Sequence, residues 1–211
     1  MPLPATGSPV ATYPRAMQSI QGGHAWIVWA VALPVLLLYL GRVRHLSAGH
    51  LLAVAAFVTY LVGVATFTIL PLWFDDEYRS QPPFDPAIVL EPFFLGRAEA
   101  VMSPSQYLGN VLLGIPFGFL VPFVWRVSLP RVMVAGLCFS LSIEALQWIA
   151  TKLMVAFPSR AVDINDVILN TLGVLIGVAA FAVVRFGYRM LFSGATSAPR
   201  AWAHFHARLT S

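Results

Sequence analysis

The sequence predicts an all-α fold, a polytopic transmembrane bundle of five spanning helices. Hydrophobic residues make up 58% of the chain and charged residues only 10%, far from the balance of a soluble domain. The apolar residues gather into five runs, each close to the roughly 20 residues that cross a hydrocarbon core. None of the runs alternates with period two, which disfavours a membrane barrel.

Residues 1–23 are rich in Pro, Ser, Thr and Gly, have no apolar face, and read as a disordered extension. The first run, 24–40, is the shortest and can tilt or thin the bilayer locally. Arg42 and Arg44 follow it, whereas a cleaved signal carries its basic residues in front, so the run is expected to stay as an anchor, with 24–48 forming the first span and its basic loop. Further spans are expected at about 51–73, 108–125, 132–150 and 164–186, all within one membrane domain over 49–186, followed by a basic tail over 187–211.

Charge placement predicts the orientation. Arg42 and Arg44, Arg126 and Arg131, and Arg185, Arg189, Arg200 and Arg208 lie in three stretches without Asp or Glu, which belong on the cytoplasmic side. Asp75, Asp76, Glu77, Asp85, Glu91 and Glu99 fall on the other side, with Arg79 and Arg97, and so do Lys152, Arg160, Asp163 and Asp166. The N-terminus is therefore expected outside and the C-terminus inside. The cytoplasmic loops account for the net charge of +4, and no nucleic-acid motif accompanies it, so nucleic acid is not an expected partner. Trp202, Phe205 and Leu209 recur at helical spacing among His204, His206 and Arg208. A frayed tail whose arginines fix topology is preferred there over a helix lying on an anionic leaflet. Cys138, the only cysteine, lies inside the fourth span, which excludes intramolecular disulfides and thiolate metal sites.

The longest connection, 74–106, opens on Asp75-Asp76-Glu77, a solvated acidic stretch. It continues through Ile88-Val89-Leu90 and Pro92-Phe93-Phe94-Leu95, apolar enough to lie at the interface or to cover a pocket; both readings stay open.

Polar residues recur on specific helix faces. In the fourth span Ser140, Glu144, Gln147 and Thr151 fall at i, i+4, i+7 and i+11, one face of a helix. In the fifth, Asp163, Asp166 and Asn170 give way to Gly173 and Gly177 on one face, where small residues permit close helix approach. Glu144 and Asn170 each lie seven residues, about 10 Å, inside the outer helix ends. The short connection makes these helices antiparallel neighbours, so Glu144 and Gln147 are expected to face Asn170 and Asp166, with Arg160 reaching an aspartate from just outside. The third span adds Tyr107 and Asn110, then Gly114 and Gly118, and its Pro116 frees the carbonyl of Leu112. The second carries a small-residue stripe, Thr59, Gly63 and Thr66. Each stripe alone is a packing seam. Convergence of Asn110, Glu144, Gln147, Arg160, Asp163, Asp166 and Asn170 on the outer half of one bundle makes a candidate ligand site.

At these residues the chain resembles the VanZ-like membrane protein family. The match runs through Asn110, Pro116 and Gly118, then Ser140, Ile143-Glu144 and Gln147, then Arg160, Asp163, Asp166, Asn170 and Gly173, from the second span to the fifth. Family members often carry an Asn three residues before the loop Pro-Phe pair, and Val89 stands there in this chain. The resemblance implies a multi-pass protein of the bacterial cytoplasmic membrane and an association with reduced susceptibility to the glycopeptide teicoplanin.

Three functions fit. The first is envelope modulation through binding a membrane lipid, a lipid-linked cell-wall precursor or a lipoglycopeptide, with Arg160 recognising an anion and Asn110, Gln147 and Asn170 orienting a headgroup. The second is a purely structural polar network. The third, placed last, is an intramembrane enzyme with Glu144 as acid or base and Asp163 and Asp166 as hard-cation ligands for a phosphate-bearing lipid. No His joins that cluster and spacing marks no nucleophile, so no cofactor and no metal site is assigned. Oligomeric state is left open.

Overall fold

In the computed structural model five helices, each long and apolar enough to cross a membrane, run through the described residues: α1 Gly22–Arg42, α2 Ala48–Thr68, α3 Pro104–Val124, α4 Leu129–Leu153 and α5 Ile164–Phe192. A short α6, Ala203–Thr210, follows them. The structure describes residues 18–20, 22–70, 72–74, 88–92, 103–153, 162–192 and 202–210.

Local chemistry sets the helix ends. Ser47 and Ser103 sit in extended backbone just before α2 and α3, and their hydroxyls accept from the amides of His50 and Gln106, each at 3.3 Å. Such caps satisfy orphan amides of a first turn, and Pro104 at the start of α3 has no amide to satisfy. Both helices therefore begin three to four residues before the apolar runs expected at 51 and 108. At its other end α2 stops at Thr68, where the run was expected to continue to 73. Apolarity persists there, but Pro71 offers no donor and disfavours helical backbone in the residue before it. Leu72–Phe74 form a strand, β2, antiparallel to β1 at Gln18–Ile20. Part of the stretch expected to be a disordered extension thus makes a ladder, which satisfies backbone groups that a coil would leave to solvent.

Packing centres on α3 and α5. Gly114 and Gly118 of α3 face Gly173 and Gly177 of α5, and a Cβ added at any of the four would fall 2.0–2.1 Å from a carbonyl oxygen of the other helix. Only residues without a side chain allow two backbones this close, a small-xxx-small seam used on both helices at once. Val174, fully buried between these glycines, packs beneath Gly136 of α4 and draws that helix in. By contrast α1 has no buried residue and shows Ile27, Val28, Val31 and Val35 on its surface, where a bilayer would solvate them. It leans on α2 through Trp29, whose indole donates to the Thr59 hydroxyl at 3.1 Å.

One end of the bundle is closed by aromatic rings and by α6. Phe117 stacks on Phe139 with centroids 4.5 Å apart, and Phe123 meets Phe181 and Phe205 edge-on at 5.1 and 5.7 Å. Leu209 of α6 is buried. The His204 ring donates from Nε2 to the Phe123 carbonyl at 2.7 Å, and Arg208 donates to the Val124 carbonyl at 3.1 Å. These two side chains cap the last turn of α3, whose carbonyls have no helical partner. Arg189 of α5 does the same for α6, reaching the carbonyls of Leu209 and Thr210. The expectation of a frayed tail is therefore corrected for Trp202–Thr210, because docking satisfies the end of α3 and buries Leu209. The fifth helix also runs to Phe192, six residues past its expected end at 186.

Candidate functional site

At the opposite end the fifth helix starts in a hydrogen-bonded collar. The Asp163 carboxylate accepts from the Asn165 amide at 2.8 Å and from its side chain at 2.7 Å, a cap on the first turn of α5. The backbone amide of Asp163 in turn donates to Oε2 of Glu144 at 3.2 Å, and the Asn165 side chain reaches the Glu91 carbonyl at 3.2 Å. Val162–Asp163, strand β4, pairs in parallel with β3, Ile88–Val89. The long connection after α2 thus returns to lie against the start of α5, with Val89 in register with Asp163.

Asn110 of α3 closes the collar by donating from Nδ2 to the Asp166 carboxylate. Tyr60 of α2 donates to the Leu113 carbonyl at 2.8 Å, one residue on from the carbonyl that Pro116 deprives of its helical partner. Gln147 donates to the Thr68 carbonyl at 2.9 Å, which ties α4 to the last turn of α2.

Between α1, α2 and α3 these bonds frame a cavity of about 940 Å³. Its polar end holds Gln106, Asn110, Gln147, Asp163 and Asp166, and its long wall is apolar, with Trp26, Val64, Phe67, Leu112, Leu113 and Pro116. Gly63 and Gly109 also line it, and a Cβ at either would meet nothing within 4 Å. The space is amphiphilic and large enough for a small lipid-like molecule.

Four of the seven residues expected to form the site, Asn110, Gln147, Asp163 and Asp166, line this cavity together. Glu144, 4% exposed, is not part of the cavity lining and accepts from the Asp163 amide. Asn170, 2% exposed, lies deeper, under the glycine seam, where its Oδ1 accepts no hydrogen bond. Arg160 lies outside the described residues, as do Asp75-Asp76-Glu77, expected as a solvated acidic stretch, and Phe93 and Phe94, expected as either a lid or an interfacial anchor. Gln147 turns to α2, where the carbonyl of Thr68 accepts from its side chain.

Two contributors escaped the sequence reading. Gln106 follows Ser103 by three, the spacing of a capping box, and that signature both starts α3 earlier and brings a further amide to the polar end. Asn165 follows a capping aspartate by two, the position whose amide such a cap receives. Trp26 and Tyr60 carry no comparable signal, since their roles arise only from how α1, α2 and α3 pack.

A family model described as VanZ/LLP1 matches residues 57–185, more than half of the chain. The chain belongs to the VanZ/LLP1 family. No curated protein and no solved structure matches it. The matched segment contains all of α3 and α4, most of α2 and α5, and with them the glycine seam and the whole polar end of the cavity. Helices α1 and α6, and with them Trp26 on the cavity wall and the α6 cap, lie outside the matched segment. As a VanZ-like protein with five such apolar helices, it is a multi-pass membrane protein.

Proposed function

We propose that this VanZ-like protein sits in the bacterial cytoplasmic membrane with its polar cavity end facing outward and binds the lipidated part of an amphiphilic ligand there. A lipoglycopeptide of the teicoplanin type, or a lipid-linked cell-wall precursor, is the ligand class, and binding lowers susceptibility to such glycopeptides by changing access to the outer leaflet. The observation that carries the reading is one continuous cavity with an apolar wall and a carboxylate and amide end. An acyl chain against Val64, Phe67, Leu112 and Leu113 leaves water, at about 0.8 kcal/mol per buried methylene. Asp163 and Asp166 accept hydrogen bonds, so the polar end favours headgroups that present amines, amide N–H groups or hydroxyls. A phosphate headgroup needs a cation beside them, the part the sequence assigns to Arg160. The outward orientation is supported by the arginines gathered at the α6 end and the acidic residues at the other.

A structural reading has its own support in Glu144, which holds the amide of Asp163 and so fixes the start of α5. Two substitutions separate the readings. Asp166→Asn retains the size of a cavity-lining side chain and removes its charge; susceptibility to teicoplanin is expected to return to the level of cells lacking the protein while membrane abundance stays normal. Glu144→Gln is expected to lower abundance. Unchanged susceptibility with Asp166→Asn at normal abundance would remove the binding reading.

A further inference from the structure

A second cavity, of about 610 Å³, lies at the other end of the bundle and has no part in the proposed function. Arg126, just after α3, Arg185 on α5 and Arg208 on α6 converge on it, together with Ser128, Trp125 and Phe181. Three guanidiniums from three separate elements repel one another. Arg126 and Arg208 line the same cavity, and burial, with the charge of Arg126 next to it, holds the Arg208 guanidinium below the usual arginine range. The described acidic side chains, Glu91, Glu144, Asp163 and Asp166, all stand at the opposite end of the helices. Arg126 and Arg185 have no ion-pair partner among the described residues.

We propose that this pocket is an anion site for a phosphate group. A phosphate presents several acceptor oxygens to planar guanidinium forks, which pair with it in two parallel bonds. Placed among the three arginines it relieves their repulsion, and the Ser128 hydroxyl adds a neutral donor. Trp125, half exposed beside the pocket, is a residue type that settles at the boundary between headgroups and acyl chains. The hydrogen bond from Arg208 to the Val124 carbonyl locks α6 in place and with it one wall of the site. Occupancy therefore fastens α6 to the end of α3, linking a headgroup or a soluble phosphate to the order of the C-terminal helix.

The test uses the full chain in a non-ionic detergent, with dioleoylphosphatidylglycerol and inorganic phosphate as probes and native mass spectrometry as the readout. Phosphatidylglycerol retained at low millimolar phosphate identifies a lipid headgroup; displacement by phosphate identifies a soluble anion. Either result supports the site, provided Arg126→Gln and Arg185→Gln each weaken retention by about tenfold or more while Arg131→Gln, an exposed arginine of the same end outside the pocket, changes it less than about twofold. Arg185→Lys, which retains charge and loses the fork, is expected to fall between wild type and Arg185→Gln. Equal losses for Arg131→Gln and Arg185→Gln, or no retention of either probe by the wild type, would overturn the proposal.

Discussion

The two faces of α3 contain the same residue type and use it in opposite ways. Toward α5, Gly114 and Gly118 bring backbone against backbone, and no Cβ fits at either position. Toward α2, Gly109 borders the amphiphilic cavity opposite Gly63, and a Cβ there meets open space. One face is welded and the other hollow. A single helix can thus anchor the bundle while holding one wall of a cavity, because the small residues that close one interface leave the other unfilled.

The largest effect is expected on the welded face. Gly177→Val places a branched side chain where even a Cβ would fall 2.1 Å from the Ile115 carbonyl, and neither backbone can retreat without opening the seam. The cost should exceed the roughly 1–3 kcal/mol of ordinary overpacking, and membrane abundance measured by immunoblot should collapse. On the hollow face Gly63→Phe should leave thermal stability at or slightly above that of the wild type, since glycine in a helix interior costs about 1 kcal/mol relative to alanine. If Gly63→Phe destabilises the chain as much as Gly177→Val, the distinction between the two faces fails.

Smaller changes probe the ends of α3. Ser103→Ala removes the cap at the cavity end and should cost about 1 kcal/mol, seen as faster amide exchange in the first turn with the seam unaffected. At the other end, burial foremost, with the charges of His50, Arg208 and Arg126, lowers the His204 pKa from the ordinary 6.5, against the pull of its hydrogen bond to Phe123. The docked α6 therefore binds fewer protons than the released one. Docking should be strongest above pH 6.5 and weaken as pH falls below it, a modest effect because the ring is only partly buried. Limited proteolysis after residue 192 should accordingly be faster at pH 5.5 than at 7.5, and the reverse order would contradict the arrangement.

How much of this was legible in the sequence follows the physics of each signal. Spans are written in hydropathy, so all five helices appear, and their misplaced ends at Ser47, Ser103 and Pro71 trace to caps and a proline that hydropathy does not weigh. Helical spacing put Asn110, Asp163 and Asp166 on converging faces, and they do converge. Spacing alone gives direction on one helix and says nothing of which neighbour a side chain meets. Gln147 donates to the carbonyl of Thr68 and Glu144 accepts from the amide of Asp163, backbone partners at element ends that spacing along one helix does not reveal. Thr59, Gly63, Gly114 and Gly118 looked alike as small-residue stripes; only packing separates the seam from the cavity.

In the function proposed above, the hollow face receives the acyl portion of a ligand whose polar part meets Asn110, Asp163 and Asp166. The most direct measurement compares binding of fluorescent teicoplanin and its deacylated core to the purified wild type and to Gly63→Phe. Saturable binding of teicoplanin to the wild type is expected, weaker by about tenfold or more for the deacylated core and for the filled cavity. Equal binding of the acylated and deacylated forms, or undiminished binding by a folded Gly63→Phe, would contradict it.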